Sequence, residues 1–211
     1  IPVAEKSKMI IPLGEQILVQ AFRFLNKLKA QGLGSVRVSV NVSVIQLLRP
    51  DFVEMLFGHI AAMHVSPENI GIELTESVFA TDYDRINRTI EMLKNAGLYI
   101  AIDDFGTGYS SLSREKELNV DCLKIDKSFI DKLLDTDPDL AITSDIISMA
   151  HKLGHCTVAE GVEQESQLQY LIEHHCDYIQ GYLVSKPLDE DSALRYLRGQ
   201  QEGSHDHSDD L

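Results

Sequence analysis

Val36-Arg37-Val38-Ser39-Val40-Asn41-Val42-Ser43 alternates branched apolar residues with polar ones, and it predicts a β-strand over residues 35–43. The stretch before it has another period. Between residues 12 and 30, Ile17, Leu18, Ala21, Phe22, Leu25 and Leu28 recur three or four apart, with Gly32 just past the end as a C-cap, which predicts an amphipathic helix. Outward from this pair the two patterns keep alternating. Strand-like runs fall near residues 70–75, 98–103, 122–125, 157–160 and 178–183, and helical patterns fill 83–95, 140–153 and 165–174. Strict alternation of this kind predicts parallel βαβ units.

The polar residues of these runs decide what the units build. Near the C-terminal end of each predicted strand stands a group able to bind metal or phosphate: Asn41, Glu73, the pair Asp103-Asp104, Lys124, Glu160 and Gln180. Successive members are 20 to 36 residues apart, close to one βα unit each. Side chains alternate across a strand, so Ser39 and Asn41 share a face, as do Gly71 and Glu73, and Ala101 and Asp103, opposite the Val and Ile positions. The branched face is expected to pack on helices. The polar face then points into a barrel and converges at its C-terminal rim, where enzymes of that architecture carry their sites.

Four carboxylates gathered at one rim repel one another unless cations neutralise them, and an all-oxygen set suits Mg²⁺ or Mn²⁺ better than zinc. Adjacent Asp103 and Asp104 allow one carboxylate to bridge while its neighbour reaches a second ion, so two ions are expected. Lys124 adds a positive charge beside the acids, suited to a phosphoryl oxygen or to the attacking water. The reaction class that fits is phosphodiester hydrolysis.

Composition bounds these readings. The chain has 211 residues, 44% of them hydrophobic, which predicts one domain, whereas a complete (β/α)₈ barrel usually takes about 250. A formal charge of −14 argues against a nucleic-acid polymer or an anionic membrane surface as partner, since both need clustered Lys and Arg. There is no apolar run of membrane-spanning length and no signal-peptide pattern at the start, so neither secretion nor membrane insertion by this chain is expected. Three widely spaced cysteines, Cys122, Cys156 and Cys176, suggest neither a disulfide framework nor a zinc site, and a reducing cytoplasm fits. Cys122 and Cys156 share strand parity with Lys124 and Glu160 and are read as buried, inert thiols. Residues 199–211 are polar, lack periodicity and read as a disordered tail after a domain over residues 1–198.

The segments NVSVIQL from Asn41, IELTES from Ile72, IDDFGTGYSSL from Ile102, LKIDKSFI from Leu123, AEGVE from Ala159 and QGYLVSKPL from Gln180 resemble the signature segments of EAL-domain phosphodiesterases, in the same order up to about Leu197. The resemblance implies a TIM-like barrel that cuts cyclic di-GMP to linear pGpG with Mg²⁺ or Mn²⁺. It further implies Asn41, Glu73, Asp103, Asp104 and Glu160 as metal ligands, with Lys124 near the water. Gln180 follows as a supporting residue, Glu76 as anchor of the loop over residues 105–111, and Glu163 as an acid near the substrate. Family members commonly form homodimers through that loop and carry upstream sensory or GGDEF-type domains, through which a parent protein can be membrane-anchored.

Two departures from the family pattern stand out. The opening strand with its Glu-Ala-Leu is not in this sequence, whose start, Ile1-Pro2-Val3-Ala4-Glu5, resembles the helix that follows it. About two barrel strands are therefore expected to lie upstream, and this chain alone is expected to be impaired. Arg114-Glu115 stands where the family usually has bulkier apolar residues. The competing expectation is a module that binds cyclic di-GMP without cutting it; members of that kind usually lose the aspartate pair or the lysine, both kept here.

Overall fold

In the computed structural model, which describes residues 2–80, 82–106, 119–133 and 142–205, six strands form one all-parallel sheet in chain order. They are β1 (Val38–Asn41), β2 (Ile70–Thr75), β3 (Tyr99–Phe105), β4 (Cys122–Ile125), β5 (Cys156–Glu160) and β6 (Tyr178–Gln180). The helices are α1 (Pro2–Lys6), α2 (Ile10–Ala30), α3 (Val44–Leu47), α4 (Phe52–Met63), α5 (Tyr83–Asn95), α6 (Lys127–Lys132), α7 (Ile142–Leu153), α8 (Glu165–Glu173) and α9 (Glu190–His205). Sequential parallel strands, with helices described after β1, β2, β4, β5 and β6, form the wall of a (β/α) barrel, as the alternation predicts. No helix among the described residues is long and apolar enough to cross a membrane.

The core lies between the outer face of the sheet and the helices. Ile70, Ile72 and Leu74 of β2, Ile100 and Ile102 of β3, and Leu123 and Ile125 of β4 are buried there against Phe22 of α2, Leu56 of α4, Ile90 of α5 and Ile147 of α7. The opposite parity carries Asn41, Glu73, Asp103, Lys124 and Glu160 to the inner face, which sets the site on the strands themselves.

Local chemistry fixes where each strand stops. After Asn41 and Val42, Ser43 and Gln46 form a reciprocal cap: the Gln46 N–H donates to Ser43 Oγ and the Ser43 N–H to Gln46 Oε1 at 3.1 Å. That cap turns the chain into α3, so β1 ends two residues before the limit its alternation suggests. After Ile125, Asp126 caps α6 by accepting the Ser128 N–H at 3.0 Å.

At the N-terminal ends one device occurs twice. Asp121, just before β4, accepts the Ile100 N–H of β3 at 2.8 Å, and Asp177, just before β6, accepts the Thr157 N–H of β5 at 2.8 Å. Each aspartate pins the register of the preceding strand, and each is itself held by a neighbour: Lys94 at 2.8 Å from Asp121, and His151 at 2.8 Å from Asp177.

The structure corrects several expectations. The last strand ends at Gln180 and not at residue 183, because residues 181–185 turn, with the Val184 and Ser185 N–H groups both donating to the Gly181 carbonyl at 3.1 Å. Gly181 also lies so close to the Val162 backbone that a Cβ there would sit 2.1 Å from its carbonyl oxygen. Helix α4 goes unpredicted because Phe52-Val53-Glu54-Met55-Leu56-Phe57 is apolar on most faces and shows no clear period. Helix α9 runs to His205, into the stretch expected to be without structure, and residues 206–211 lie outside the described ones. Cys122 is fully buried as expected, but Cys156 is only partly buried.

Two outcomes test this account of the fold. Phe22 is 0% exposed, and Phe22→Ala should cost about 3–5 kcal/mol in urea denaturation, because it leaves a cavity under β1 and β2. Burial alone would raise the Asp177 pKa, yet bonds from His151 and from the Thr157 N–H and hydroxyl outweigh it and hold the carboxyl below its ordinary 3.8. The unfolded chain then binds the extra proton first, so this contribution to stability is complete above the ordinary aspartate value and fades as pH falls through the depressed one. Asp177→Asn should flatten that acid limb when melting temperature is followed from neutral pH down to about pH 3.

Candidate metal and phosphoryl site

Lys124 is the hub of the inner face. Its ammonium lies 2.7 Å from Glu160 Oε1, 2.8 Å from Glu73 Oε2 and 3.0 Å from Asp103 Oδ1, with only 7% of its side chain exposed. Asn41 joins through its side-chain amide, which donates to Glu73 Oε2 at 3.5 Å. Four strands, β1, β2, β3 and β5, thus send oxygen-bearing groups toward one cation on β4. Burial by itself would favour the neutral amine, but hydrogen bonds to Glu160 and Glu73 outweigh it and hold Lys124 well above the ordinary lysine value. It is a fixed positive charge and a donor.

The aspartate pair needs a local irregularity to act together. In a regular strand Asp103 and Asp104 would face opposite sides of the sheet. Here the β3–β4 register shifts between Ile102 and Phe105, and Asp104 takes a left-handed backbone conformation at φ 55°. Aspartate is among the few non-glycine residues that tolerate this. The kink brings Asp104 to the side of its neighbour, so that one carboxylate oxygen from each of Asp103, Asp104 and Glu160 lies within 4.8 Å of the others. Burial, followed by the charges of Asp103 and Asp126, raises the Asp104 pKa, and burial raises that of Glu160 despite Lys124.

The donor set fits a hard divalent cation. All candidate ligands are oxygens. Asp103 Oδ1 is buried and, apart from the Lys124 ammonium 3.0 Å away, meets no hydrogen-bond donor among the described residues. A buried carboxylate oxygen so placed is what a metal would satisfy.

The remaining candidates are more dispersed. Gln180 is the strand partner of Glu160, one strand over. Glu76 is buried, 7% exposed, in a short 3₁₀ turn after β2. Glu163, expected near a substrate, is bound by Lys127 Nζ at 2.9 Å, an ammonium that also meets Asp131 at 2.9 Å. Of the loop over residues 105–111 only Phe105 and Gly106 are described; the rest, and Arg114-Glu115, lie outside the described residues.

Sequence reasoning misses Lys127, and also the buried Gln167, which accepts the Glu163 and Gln164 N–H groups at 2.8 and 3.0 Å and donates to the Ile130 carbonyl at 3.1 Å. Glutamine inside an apolar helical pattern was the available signal. For Asp121 and Asp177 the signal was an aspartate directly before a strand-like run.

Comparison with known proteins supports the fold. The EAL domain family matches residues 1–187. The cyclic di-GMP phosphodiesterase NbdA of Pseudomonas aeruginosa is 37% identical over 198 residues, covering 94% of this chain and 25% of its own length. Among solved structures, the MucR phosphodiesterase of Pseudomonas aeruginosa in complex with c-di-GMP has a TM-score of 0.86 at 35% identity, over 91% of this chain and 78% of that one. Klebsiella pneumoniae BlrP1 with manganese and cyclic di-GMP has a TM-score of 0.74 at 29% identity, over 84% of this chain and 45% of that one. The chain spans about a quarter of the length of the curated relative it matches. Its parallel wall of strands backed by helices is the TIM-like EAL fold, and the chain belongs to the EAL-domain family.

Proposed function

We propose that this domain hydrolyses cyclic di-GMP to linear pGpG, using divalent metal, Mg²⁺ or Mn²⁺, with two ions at the strand ends. The observation that carries the reading is the convergence of Glu73, Asp103 and Glu160 on Lys124, with Asp104 kinked to the same side. The relatives' names support the substrate, and the manganese complex of BlrP1 supports a divalent ion. Asn41, Glu73, Asp103, Asp104 and Glu160 would hold the metal, which when bound supplies Lewis acidity and a water that ionises near neutral pH.

The protein's own groups do the rest. Lys124, held among these carboxylates, serves as a donor to a phosphoryl oxygen or to the attacking water. The carboxylates sit on strands, whose backbone pairing fixes their spacing before any ligand arrives. Glu76 and Gln180 take supporting positions in this reading, one anchoring the loop after Asp104 and the other beside Glu160. The reading extends to a cytoplasmic homodimer and to upstream sensory or GGDEF-type domains in the whole protein. A relative named as a bifunctional diguanylate cyclase and cyclic di-GMP phosphodiesterase supports the last point.

The deciding experiment follows cyclic di-GMP and pGpG by chromatography with the full-length protein in Mg²⁺ or Mn²⁺. Turnover is expected, and Asp103→Asn should lower it about a hundredfold or more. Tight binding of cyclic di-GMP by the full-length protein with no product would make the domain a receptor. A second outcome needs no substrate. Lys124→Met leaves three carboxylates facing one another without a cation, and in EDTA it should lose about 3–5 kcal/mol of stability. Added Mn²⁺ should then raise the melting temperature of the variant more than that of the wild type.

A further inference from the structure

Below the carboxylates, on the same inner face, Cys122 of β4 and Cys156 of β5 are direct partners across the parallel ladder. Neighbouring strands lie about 4.8 Å apart. That separation falls inside the span of roughly 4.4–6.8 Å over which a disulfide joins two Cα atoms. The Tyr99 hydroxyl lies 2.9 Å from Cys156 Sγ, and the Cys122 Sγ faces the Leu123 carbonyl at 3.7 Å. The Arg37 guanidinium stacks on the Tyr99 ring, 4.0 Å from its centre, and so fixes the ring that reaches the sulfur. Cys122 is closed off, while Cys156 is partly open to solvent. Cys176, the third thiol, bonds instead with the Thr157 hydroxyl, which has the opposite strand parity, and it does not compete for Cys156.

The chemistry of the pair is asymmetric. The neighbouring Cys122 thiol outweighs the cost of burial and, with help from the Tyr99 hydroxyl, brings the Cys156 thiol down to about 7. Cys156 in turn, together with burial, pushes the Cys122 thiol up. One sulfur is therefore a partly open nucleophile with the Tyr99 hydroxyl beside it, and the other is a closed-off thiol one strand away.

We propose that Cys122 and Cys156 form a peroxide-reactive dithiol site that closes reversibly into a disulfide between β4 and β5. The Cys156 thiolate attacks one peroxide oxygen, the O–O bond breaks, and a sulfenic acid forms as hydroxide leaves and takes up a proton to become water. Cys122 then attacks the sulfenic sulfur and gives up its proton; the S–S bond forms and a second water departs. Two thiols and one hydrogen peroxide become one disulfide and two waters, the thiols supplying both electrons. The bond ties together the strand that carries Lys124 and the strand that carries Glu160. The assignment does not depend on which reaction the carboxylates support.

The test treats the reduced chain with hydrogen peroxide, alkylates the remaining thiols and maps peptides by mass spectrometry without reduction. A Cys122–Cys156 cross-linked peptide that disappears with dithiothreitol is the expected result, and it should persist in Cys176→Ser. In Cys122→Ser, dimedone should trap the sulfenic acid at Cys156. Tyr99→Phe should slow oxidation of Cys156 about three- to tenfold at neutral pH, as expected when a thiolate loses a donor. The proposal falls if the folded wild-type chain leaves both thiols free to alkylate under conditions that oxidise Cys176. It falls equally if Cys156 proceeds to sulfinic acid while Cys122 stays reduced.

Discussion

The ammonium of Lys124 stands where carboxylates from β2, β3 and β5 would otherwise confront one another, and the inner face of the sheet depends on it. Like charges this close raise one another's proton affinity, and a single cation among three acids relieves the conflict only in part. Burial acts in the same direction, and it is the larger cause of the upward shifts at Glu160 and Asp104. The arrangement therefore has two qualities at once. It is neutral enough to fold, and it remains short of positive charge. A site in that condition attracts cations by its own electrostatics, with no need for a conformational change to expose its ligands.

The sheet makes this possible because it spends its two faces differently. Outward, Ile and Leu residues supply apolar burial against α2, α4, α5 and α7. Inward, the same strands carry the charges. Because parity alone decides the face, a slip of one residue in any strand would send an acid into the apolar layer and an isoleucine into the site. Asp121 and Asp177 oppose such a slip from the N-terminal edge, by bonding the backbone N–H of the strand before them. The electrostatics at one end of the strands thus rest on hydrogen bonds at the other.

Much of this was legible in the sequence, for a physical reason. Strand period, strand order and the face occupied by Glu73, Asp103, Lys124 and Glu160 all follow from alternation. So does their meeting at one end, once parallel βαβ units are accepted. What alternation cannot convey is departure from itself. The kink at Asp104 contradicts the period, and it was adjacency in sequence and the motif resemblance, not the alternation, that pointed to both aspartates acting together. Helix α4 stayed hidden because an apolar run has no face to read, and β6 was drawn too long because the turn at Gly181 depends on the distant Val162 backbone. Glu163 illustrates the other limit: its position suggested a ligand contact, while its partner Lys127 comes from another βα unit. The pairing of Cys122 with Cys156 was half visible, since parity put both on the inner face but register alone made them neighbours.

The left-handed residue at position 104 has an implication for how such a site can change over time. Side-chain chemistry and backbone conformation are tied together there: the proposed metal site calls for a carboxylate, and the backbone favours a short, αL-tolerant residue. Glutamate would keep the charge and resist the backbone; glycine would accept the backbone and discard the charge; asparagine would satisfy the chain and leave a neutral amide. Drift at this position is thus funnelled toward shapes that preserve the bend while silencing the chemistry. A lineage that abandons catalysis can keep an intact architecture, and its loss of function would be written in one atom exchanged for another on an unchanged frame.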